Sequence, residues 1–284
     1  MKKFVAAIVV TLFLASTLAI AYAQYDVQVN AVGDSTPLQV PVYWSWSGGS
    51  GTTSTPFTII GITGDLTLIA PSTHEEDYTF YVFSCWDLDG ADQTAGVTTV
   101  IVSTATTATA EYTKVLSVSK DLIDDDTVPT PYKFDGITHI YVDPEHVPVF
   151  TEVYFDMTIT VTPIAAGITD VTVKDGIGAD LILDSATPSA GSEGDAKAGK
   201  GKMGATIVTW TMSGDFTAEQ TLDLSVHTGL NSPGGPNKRA PQYQEYTSPD
   251  THDLNSGPVV YFTYGGNQYV LVGPPVTVTA ELPV

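Results

Sequence analysis

The sequence predicts an all-β protein with two tandem Ig-like β-sandwich domains after an N-terminal signal peptide. Short runs rich in Val, Ile, Thr and Tyr recur along the chain, and Gly, Pro, Asp and Ser separate them. Helical periodicity is almost absent after the first 23 residues. Short strands joined by frequent turns are typical of β-sandwiches. The hydrophobic content of 43% over 284 residues is sufficient to fill one or two cores.

The first 23 residues have the pattern of a signal peptide. Lys2 and Lys3 precede an apolar stretch over residues 4–20, and Ala21-Tyr22-Ala23 fits the cleavage pattern of signal peptidase. We therefore expect a secreted or cell-surface protein that starts at Gln24. The alternative is an uncleaved anchor, because the stretch approaches the ~20 residues that span a bilayer. Later apolar runs are short and interrupted, so we expect no membrane span after cleavage.

The charge balance and the cysteine content exclude some classes of partner and crosslink. The chain has 32 acidic and 11 basic residues and a formal net charge of −21. This balance argues against nucleic acid and anionic membranes as partners, since both require basic patches. Cys85 is the single cysteine, so an intrachain disulfide is excluded. Its apolar neighbours predict a buried, unreactive thiol.

The predicted N-terminal domain covers residues 24–114 and begins with a strongly alternating strand. Tyr25, Val27, Val29 and Ala31 are expected on one face of this strand, because side chains alternate along a strand. The further predicted strands of this domain cover residues 38–44, 57–60, 66–70, 78–86, 97–103 and 107–113. Trp44 and Trp46 also share a face, which favours packing in the core over an exposed surface that stacks on carbohydrate.

The predicted C-terminal domain covers residues 115–284 and has long loop insertions. Its predicted strands cover residues 115–120, 153–161, 171–174, 206–212, 221–227, 259–263, 269–272 and 276–282. Three stretches, residues 123–147, 185–204 and 229–256, look irregular. Long loops in a compact domain are usually functional or disordered.

Residues 38–113 resemble an Ig-like module of secreted and surface proteins of archaea and some bacteria. The resemblance is carried by the pattern Gly64-Asp65-Leu66-Thr67-Leu68-Ile69-Ala70-Pro71, by Phe80, Phe83, Trp86 and Gly90 in the next strand, and by the closing Thr109-Ala110-Glu111-Tyr112. It implies that Trp86 packs in the core and that the closing strand completes a sheet.

Residues 115–228 resemble the Ig-like repeat domain of prokaryotic surface and filament proteins. The matching segments are Leu116-Ser117-Val118-Ser119-Lys120, residues 152–162, residues 169–176, Val208-Thr209-Trp210 and residues 221–226. The resemblance implies a β-sandwich used in surface assemblies. Some members of such families form a Lys–Asn isopeptide crosslink. Pro163 stands where the Asn is common, so we expect no such crosslink and expect Lys120 to be a surface lysine.

The sequence lacks the motifs of common enzymes, and we expect no enzymatic activity. It has no Ser-nucleophile elbow, zinc-protease helix, paired-cysteine site or phosphate-binding loop. Calcium is the favoured ion, because two acidic clusters supply the hard oxygen ligands that it prefers. These clusters are Asp87, Asp89 and Asp92, and Asp121, Asp124, Asp125 and Asp126. The alternatives are an acidic β-turn and a solvated linker.

The leading functional hypothesis is a structural subunit of an extracellular filament, pilus-like or thread-like, or of a surface layer. The strand at Tyr25–Val32 would complete a neighbouring subunit by β-strand addition, which gives a homopolymer. The alternative is a secreted adhesin that recognises a surface glycan or a surface-layer protein through loops 123–147 and 229–256. Tyr243 and Tyr246 would be the ligand contacts in that case.

Overall fold

The computed structural model describes residues 24–104, 106–123, 132–134, 137–139, 146–148, 154–177, 181–188, 197–200, 206–228 and 250–281. The all-β prediction is confirmed, because the described residues form strands and turns without a helix. It follows that the described part of the chain has no helix of the length and apolar character needed to cross a membrane.

The strands are numbered in chain order. The first eleven are β1 (Tyr25–Gly33), β2 (Thr36–Pro37), β3 (Pro41–Trp46), β4 (Gly49–Ser54), β5 (Phe57–Ile62), β6 (Leu66–Ile69), β7 (Thr73–Glu76), β8 (Thr79–Leu88), β9 (Ala91–Asp92), β10 (Thr99–Val102) and β11 (Thr107–Leu122). The others are β12 (Tyr132–Phe134), β13 (Ile137–His139), β14 (His146–Pro148), β15 (Tyr154–Pro163), β16 (Ile168–Ile177), β17 (Leu181–Pro188), β18 (Lys197–Lys200), β19 (Thr206–Asp215), β20 (Gln220–Thr228), β21 (Asp250–Asn255), β22 (Val259–Tyr264), β23 (Asn267–Val272) and β24 (Val276–Glu281).

The chain divides into two compact units. Of the described residues, the first unit holds 24–74 and 82–113, and the second holds 75–81 and those from 114 onward. The first unit has a four-stranded sheet with the order β10-β6-β3-β4. In its other sheet, β1 lies between β5, to which it is antiparallel, and the first half of β11, to which it is parallel.

The core of the first unit is built by alternation along these strands. Val27, Val29 and Ala31 are buried on one face of β1, while the residues between them are more exposed. Trp86 on β8 is fully buried, and its indole N–H donates a hydrogen bond to the carbonyl oxygen of Thr98 at 2.9 Å. The indole thus fills the core without leaving its donor unsatisfied.

The second unit contains two larger sheets. The second half of β11 pairs with β15, and β20 and β17 follow in the same sheet. The other sheet has the order β18-β19-β16-β22-β23. Trp210 and Phe262, among the largest fully buried side chains, come from the second of these sheets, and Ile159 and Met157 come from the first.

The stretches that looked irregular in the sequence contain strands. Residues 123–147 include β12, β13 and the start of β14, residues 185–204 include β18 and part of β17, and β21 lies at the end of residues 229–256. Strands β21 and β14 both pair with β24, and these three strands form a third sheet of the second unit. Strands β14 and β21 are short and lie far from β24 in the sequence, so the pairing leaves no local signal.

Candidate functional site

A buried polar cluster lies in the core of the second unit. On β11, Leu116, Val118 and Lys120 occupy alternate positions and all three are buried. On β16, Val173 and Asp175 are also buried on one face. Side chains two residues apart share a face of a strand. The sequence therefore directs one lysine and one aspartate inward at positions that continue rows of apolar side chains.

The two charged groups form a bidentate contact. Lys120 Nζ lies 2.9 Å from Asp175 Oδ1 and 2.8 Å from Oδ2. It also donates to the carbonyl oxygen of Ser256 at 3.0 Å. The Asn255 carboxamide donates from Nδ2 to Asp175 Oδ2 at 3.0 Å. The lysine and the asparagine thus contact the same carboxylate oxygen.

Two glycines hold the segment that carries Asn255. A Cβ at Gly257 would overlap the carbonyl oxygen of Gly273, and a Cβ at Gly273 would overlap a methyl group of Val118. The backbone N–H of Gly273 also donates to the carbonyl oxygen of Pro258 at 2.8 Å. This approach of backbone to backbone is possible only without side chains. It fixes the chain just after Asn255 against the core.

Burial dominates the electrostatics of this cluster. Lys120 is 4% exposed, Asn255 is 4% exposed and Asp175 is fully buried. Burial lowers the pKa of the Lys120 ammonium group, and the neighbouring Asp175 opposes this shift. Burial also raises the pKa of the Asp175 carboxyl group, against the effect of Lys120 and Asn255. Loss of water thus favours the neutral form of each partner.

The Asn255 carboxamide is only partly satisfied. Its oxygen Oδ1 is buried and has no hydrogen-bond partner. A buried polar atom without a partner costs about 1–3 kcal/mol. The cluster therefore presents an amine, a carboxyl group and an unpaired amide carbonyl in a site that excludes water. This combination suits proton transfer between Lys120 and Asp175 and reaction at the amide carbon.

The prediction that Lys120 is a surface lysine is wrong, because its side chain is enclosed between strands. The asparagine of the cluster is Asn255, not a residue at the position of Pro163. Strict alternation after Val171 and Val173 is the signal that could have identified Asp175 as inward-facing. Asn255 gave no such signal, because it lies 80 residues from Asp175 in the sequence.

The first predicted calcium cluster is used for turn formation. Asp87 Oδ1 accepts a hydrogen bond from the backbone N–H of Gly90 at 2.6 Å. Asp89 accepts from the backbone N–H groups of Thr106 and Thr107, and these bonds lower the pKa of its carboxyl group. Asp92 pairs with Asp87 in the β8–β9 hairpin. Calcium binding by Asp87, Asp89 and Asp92 remains a prediction.

The second predicted calcium cluster lies mostly outside the described residues, which include Asp121 but not Asp124, Asp125 or Asp126. Asp121 is exposed near the end of β11. The predicted ligand contacts Tyr243 and Tyr246 also lie outside the described residues. The adhesin hypothesis and its glycan or surface-layer partner therefore remain predictions.

Cys85 is buried, as the sequence predicts, and lies among acidic side chains. Its Sγ is 3.4 Å from Glu111 Oε2. Burial raises the pKa of the thiol to about 11, and Glu111 adds to the shift. Cys85, Asp92 and Glu111 are the one group of three potential metal ligands that converge within the described part of the chain. A thiol with this pKa is mostly protonated at neutral pH.

The predicted assembly strand β1 pairs on both sides within its own chain. Val27, Val29 and Ala31 face the core, whereas Tyr25 is partly exposed. The Tyr25 hydroxyl lies within hydrogen-bond distance of two carbonyl oxygens, 2.6 Å from Gly64 and 2.7 Å from Val102. The burial pattern therefore fits the expectation that Tyr25, Val27, Val29 and Ala31 share one face of β1.

Trp44 and Trp46 were expected in the core, but both are half-buried on the β3–β4 hairpin. The ring of Trp44 lies against Gly51, and the ring of Trp46 lies against Gly48. The Trp44 indole N–H donates to Thr53 Oγ1 at 3.1 Å. These indoles therefore cover glycine backbone in their own hairpin.

Comparisons with known proteins place this chain beside several bacterial structures. No family model and no curated protein matches the sequence. The major pilin subunit BcpA of Bacillus cereus is 11% identical with a TM-score of 0.35, and the match covers 91% of this chain and 70% of the pilin. The RrgA Jo.In complex is 12% identical with a TM-score of 0.34, covering 74% of this chain and 99% of that one. A putative membrane-anchored protein from Corynebacterium diphtheriae is 11% identical with a TM-score of 0.36, covering 86% and 52%. At these TM-scores, function is inferred from the residues of this chain.

Proposed function

We propose that this chain is a structural subunit of an extracellular filament, pilus-like or thread-like, or of a surface layer. The observation that carries the proposal is strand β1. It follows the predicted leader directly, its buried face fills the first unit, and both of its edges are paired. A strand of this kind can be donated to a neighbouring subunit, which then supplies the same contacts between chains.

The turn after β1 favours such an exchange. Gly33 pairs with Thr36, so Asp34 and Ser35 form a two-residue hairpin loop. Both have positive φ angles, 46° and 72°. Asn-Gly is the preferred pair for this loop, because L side chains are strained at positive φ. The strain at Ser35 amounts to about 1 kcal/mol.

Donation of β1 would release this strain. In the exchanged form, residues 34 and 35 become part of an extended connection between subunits, and the slot between β5 and β11 is filled by a neighbouring copy of β1. The strand contacts are the same in both forms, so hinge strain and protein concentration set the balance. Because each subunit donates one strand and accepts another, repetition gives an open fibre.

The first experiment is electron microscopy of residues 24–284 at increasing concentration, with and without calcium. We expect fibres or sheets whose formation is inhibited by an excess of a peptide covering Tyr25–Gly33. Uniform monomers at high concentration would refute the proposal. A need for calcium would link assembly to the predicted acidic sites.

A matched pair of variants tests the hinge. Ser35→Gly removes about 1 kcal/mol of strain from the closed form and should reduce assembly about fivefold at a fixed concentration. Tyr78 has a positive φ of 57° in another turn, so Tyr78→Gly relieves comparable strain away from β1. Equal effects of the two variants on assembly would contradict strand donation.

A further inference from the structure

We propose that Lys120 and Asn255 join through an amide bond between their side chains, formed by the protein itself with Asp175 as the proton carrier. The inference goes beyond assembly, because the bond lies within a single subunit. It reverses the expectation from the sequence, which placed Lys120 on the surface and found no asparagine partner.

The geometry assembles the three groups that the reaction needs. Lys120 Nζ, the attacking nitrogen, is 2.8 Å from Asp175 Oδ2. Asn255 Nδ2, the nitrogen of the leaving group, is 3.0 Å from the same oxygen. One carboxyl group can therefore take a proton from the first nitrogen and give it to the second. The carbonyl oxygen of Ser256 also contacts Nζ at 3.0 Å and helps to orient it.

The reaction is balanced without a further reagent. A proton moves from the Lys120 ammonium group to the Asp175 carboxylate, which leaves a neutral amine. The Nζ lone pair attacks Asn255 Cγ, a C–N bond forms, and the carbonyl π electrons move to Oδ1. The carbonyl re-forms as the Cγ–Nδ2 bond breaks, and Nδ2 takes the proton held by Asp175 and leaves as ammonia. Asp175 then accepts the second proton of Nζ, so the new amide is neutral and Asp175 ends as a carboxylic acid. One amine and one primary amide become a secondary amide and ammonia, so nothing is oxidised or reduced.

The surroundings of the cluster favour this reaction over hydrolysis. Lys120, Asp175 and Asn255 are each at most 4% exposed. Loss of solvation favours the neutral amine needed for attack and the protonated carboxyl group needed for proton delivery. Strands β11 and β16 and the glycine-fixed segment after β21 hold the groups in place once the unit folds. Proximity of this kind replaces an encounter between separate reactants.

The test is mass spectrometry of the secreted protein under denaturing conditions. We expect an intact mass about 17 Da below that of the sequence, from the loss of one ammonia. Digestion should yield two peptides linked through Lys120 and Asn255, without tryptic cleavage after Lys120. A folded wild-type protein without this linked peptide would overturn the proposal.

Other losses of ammonia must be separated from the crosslink. Cyclisation of an N-terminal Gln24 gives the same mass change, and so does a succinimide at Asn255. The Gln24→Ala variant removes the first, and the second leaves residue 255 in an unlinked peptide. The proposal is contradicted if cyclisation of Gln24 or the succinimide at Asn255 accounts for the whole loss of about 17 Da.

Variants assign the roles of the three residues. Lys120→Arg and Asn255→Ala each remove a reactant, and Asp175→Ala removes the proton carrier, so each should lack the linked peptide. Lys174→Arg alters the exposed neighbouring lysine and should retain it. A linked peptide that persists in folded Asp175→Ala would refute the role of Asp175. Because the peptides are measured after denaturation, the result is independent of whether subunits assemble.

Discussion

Replacing Asn255 by alanine should cause a large loss of stability if the amide bond forms. The bond closes a loop of about 135 residues between Lys120 and Asn255. By the chain-entropy relation for crosslinks, a loop of this length stabilises the folded state by about 5 kcal/mol. The variant also loses the hydrogen bond from Nδ2 to Asp175, worth about 1 kcal/mol.

The expected shift can be measured by thermal and urea unfolding. A total of about 6 kcal/mol corresponds to a fall in Tm of about 12–24 °C for a unit of this size. The urea m value should rise in Asn255→Ala, because the variant unfolds to a less compact chain. Lys174→Ala, on the neighbouring surface position, loses a cation–π contact with Tyr261 and should change stability by no more than about 1 kcal/mol.

A small effect would refute this reasoning. Without the amide bond, Asn255→Ala loses only its hydrogen bond and some packing, about 1–2 kcal/mol, and Tm falls by about 2–8 °C. A fall in this lower range with an unchanged m value therefore means that the chain is not closed between Lys120 and Asn255.

Three further predictions concern other residues. At pH 8, a disulfide reagent should react with the native Cys85 thiol about 100-fold more slowly than with an ordinary thiol, since its pKa is about 11, and denaturant should remove the difference. Backbone hydrogen bonds lower the pKa of Asp89, so its carboxylate should stabilise the fold at pH values above its ordinary pKa of 3.8 and lose this effect as the pH falls below that value. In acid unfolding curves, the stability difference between wild type and Asp89→Asn should therefore shrink as the pH is lowered. Gly257→Ala should destabilise the protein by about 1–3 kcal/mol or more in urea, because its Cβ meets a backbone carbonyl oxygen, whereas Gly176→Ala, whose Cβ has room, should have a small effect.

The sequence was informative wherever local alternation decides the structure. The faces of β1 follow from a period-two pattern within one strand. The burial of Cys85 follows from its apolar neighbours and that of Trp86 from the resemblance, since these two adjacent residues of β8 are both buried. The same rule applied to Lys120 would have placed it inward after Leu116 and Val118. The sequence prediction rested instead on Pro163, which stands where the crosslinking asparagine is common.

The buried cluster could not be assembled from the sequence because it depends on pairing between distant strands. Asp175 is 55 residues from Lys120, and Asn255 is a further 80 residues away. Asn255 ends a short strand within a stretch whose composition resembles a loop. Its position depends on the pairing of β21 with β24 and on the contact between Gly257 and Gly273. Neither the pairing nor the contact leaves a local periodic signal.

The separation of Lys120 and Asn255 along the chain has a consequence for resistance to proteases. With the amide bond in place, residues 120–255 form a covalent ring with a tail at each end. A single cut anywhere in this ring, including the long segment at residues 229–249, opens the ring but leaves one covalent molecule. A protein exposed outside the cell would then need two cuts within this region before any part of it could be released.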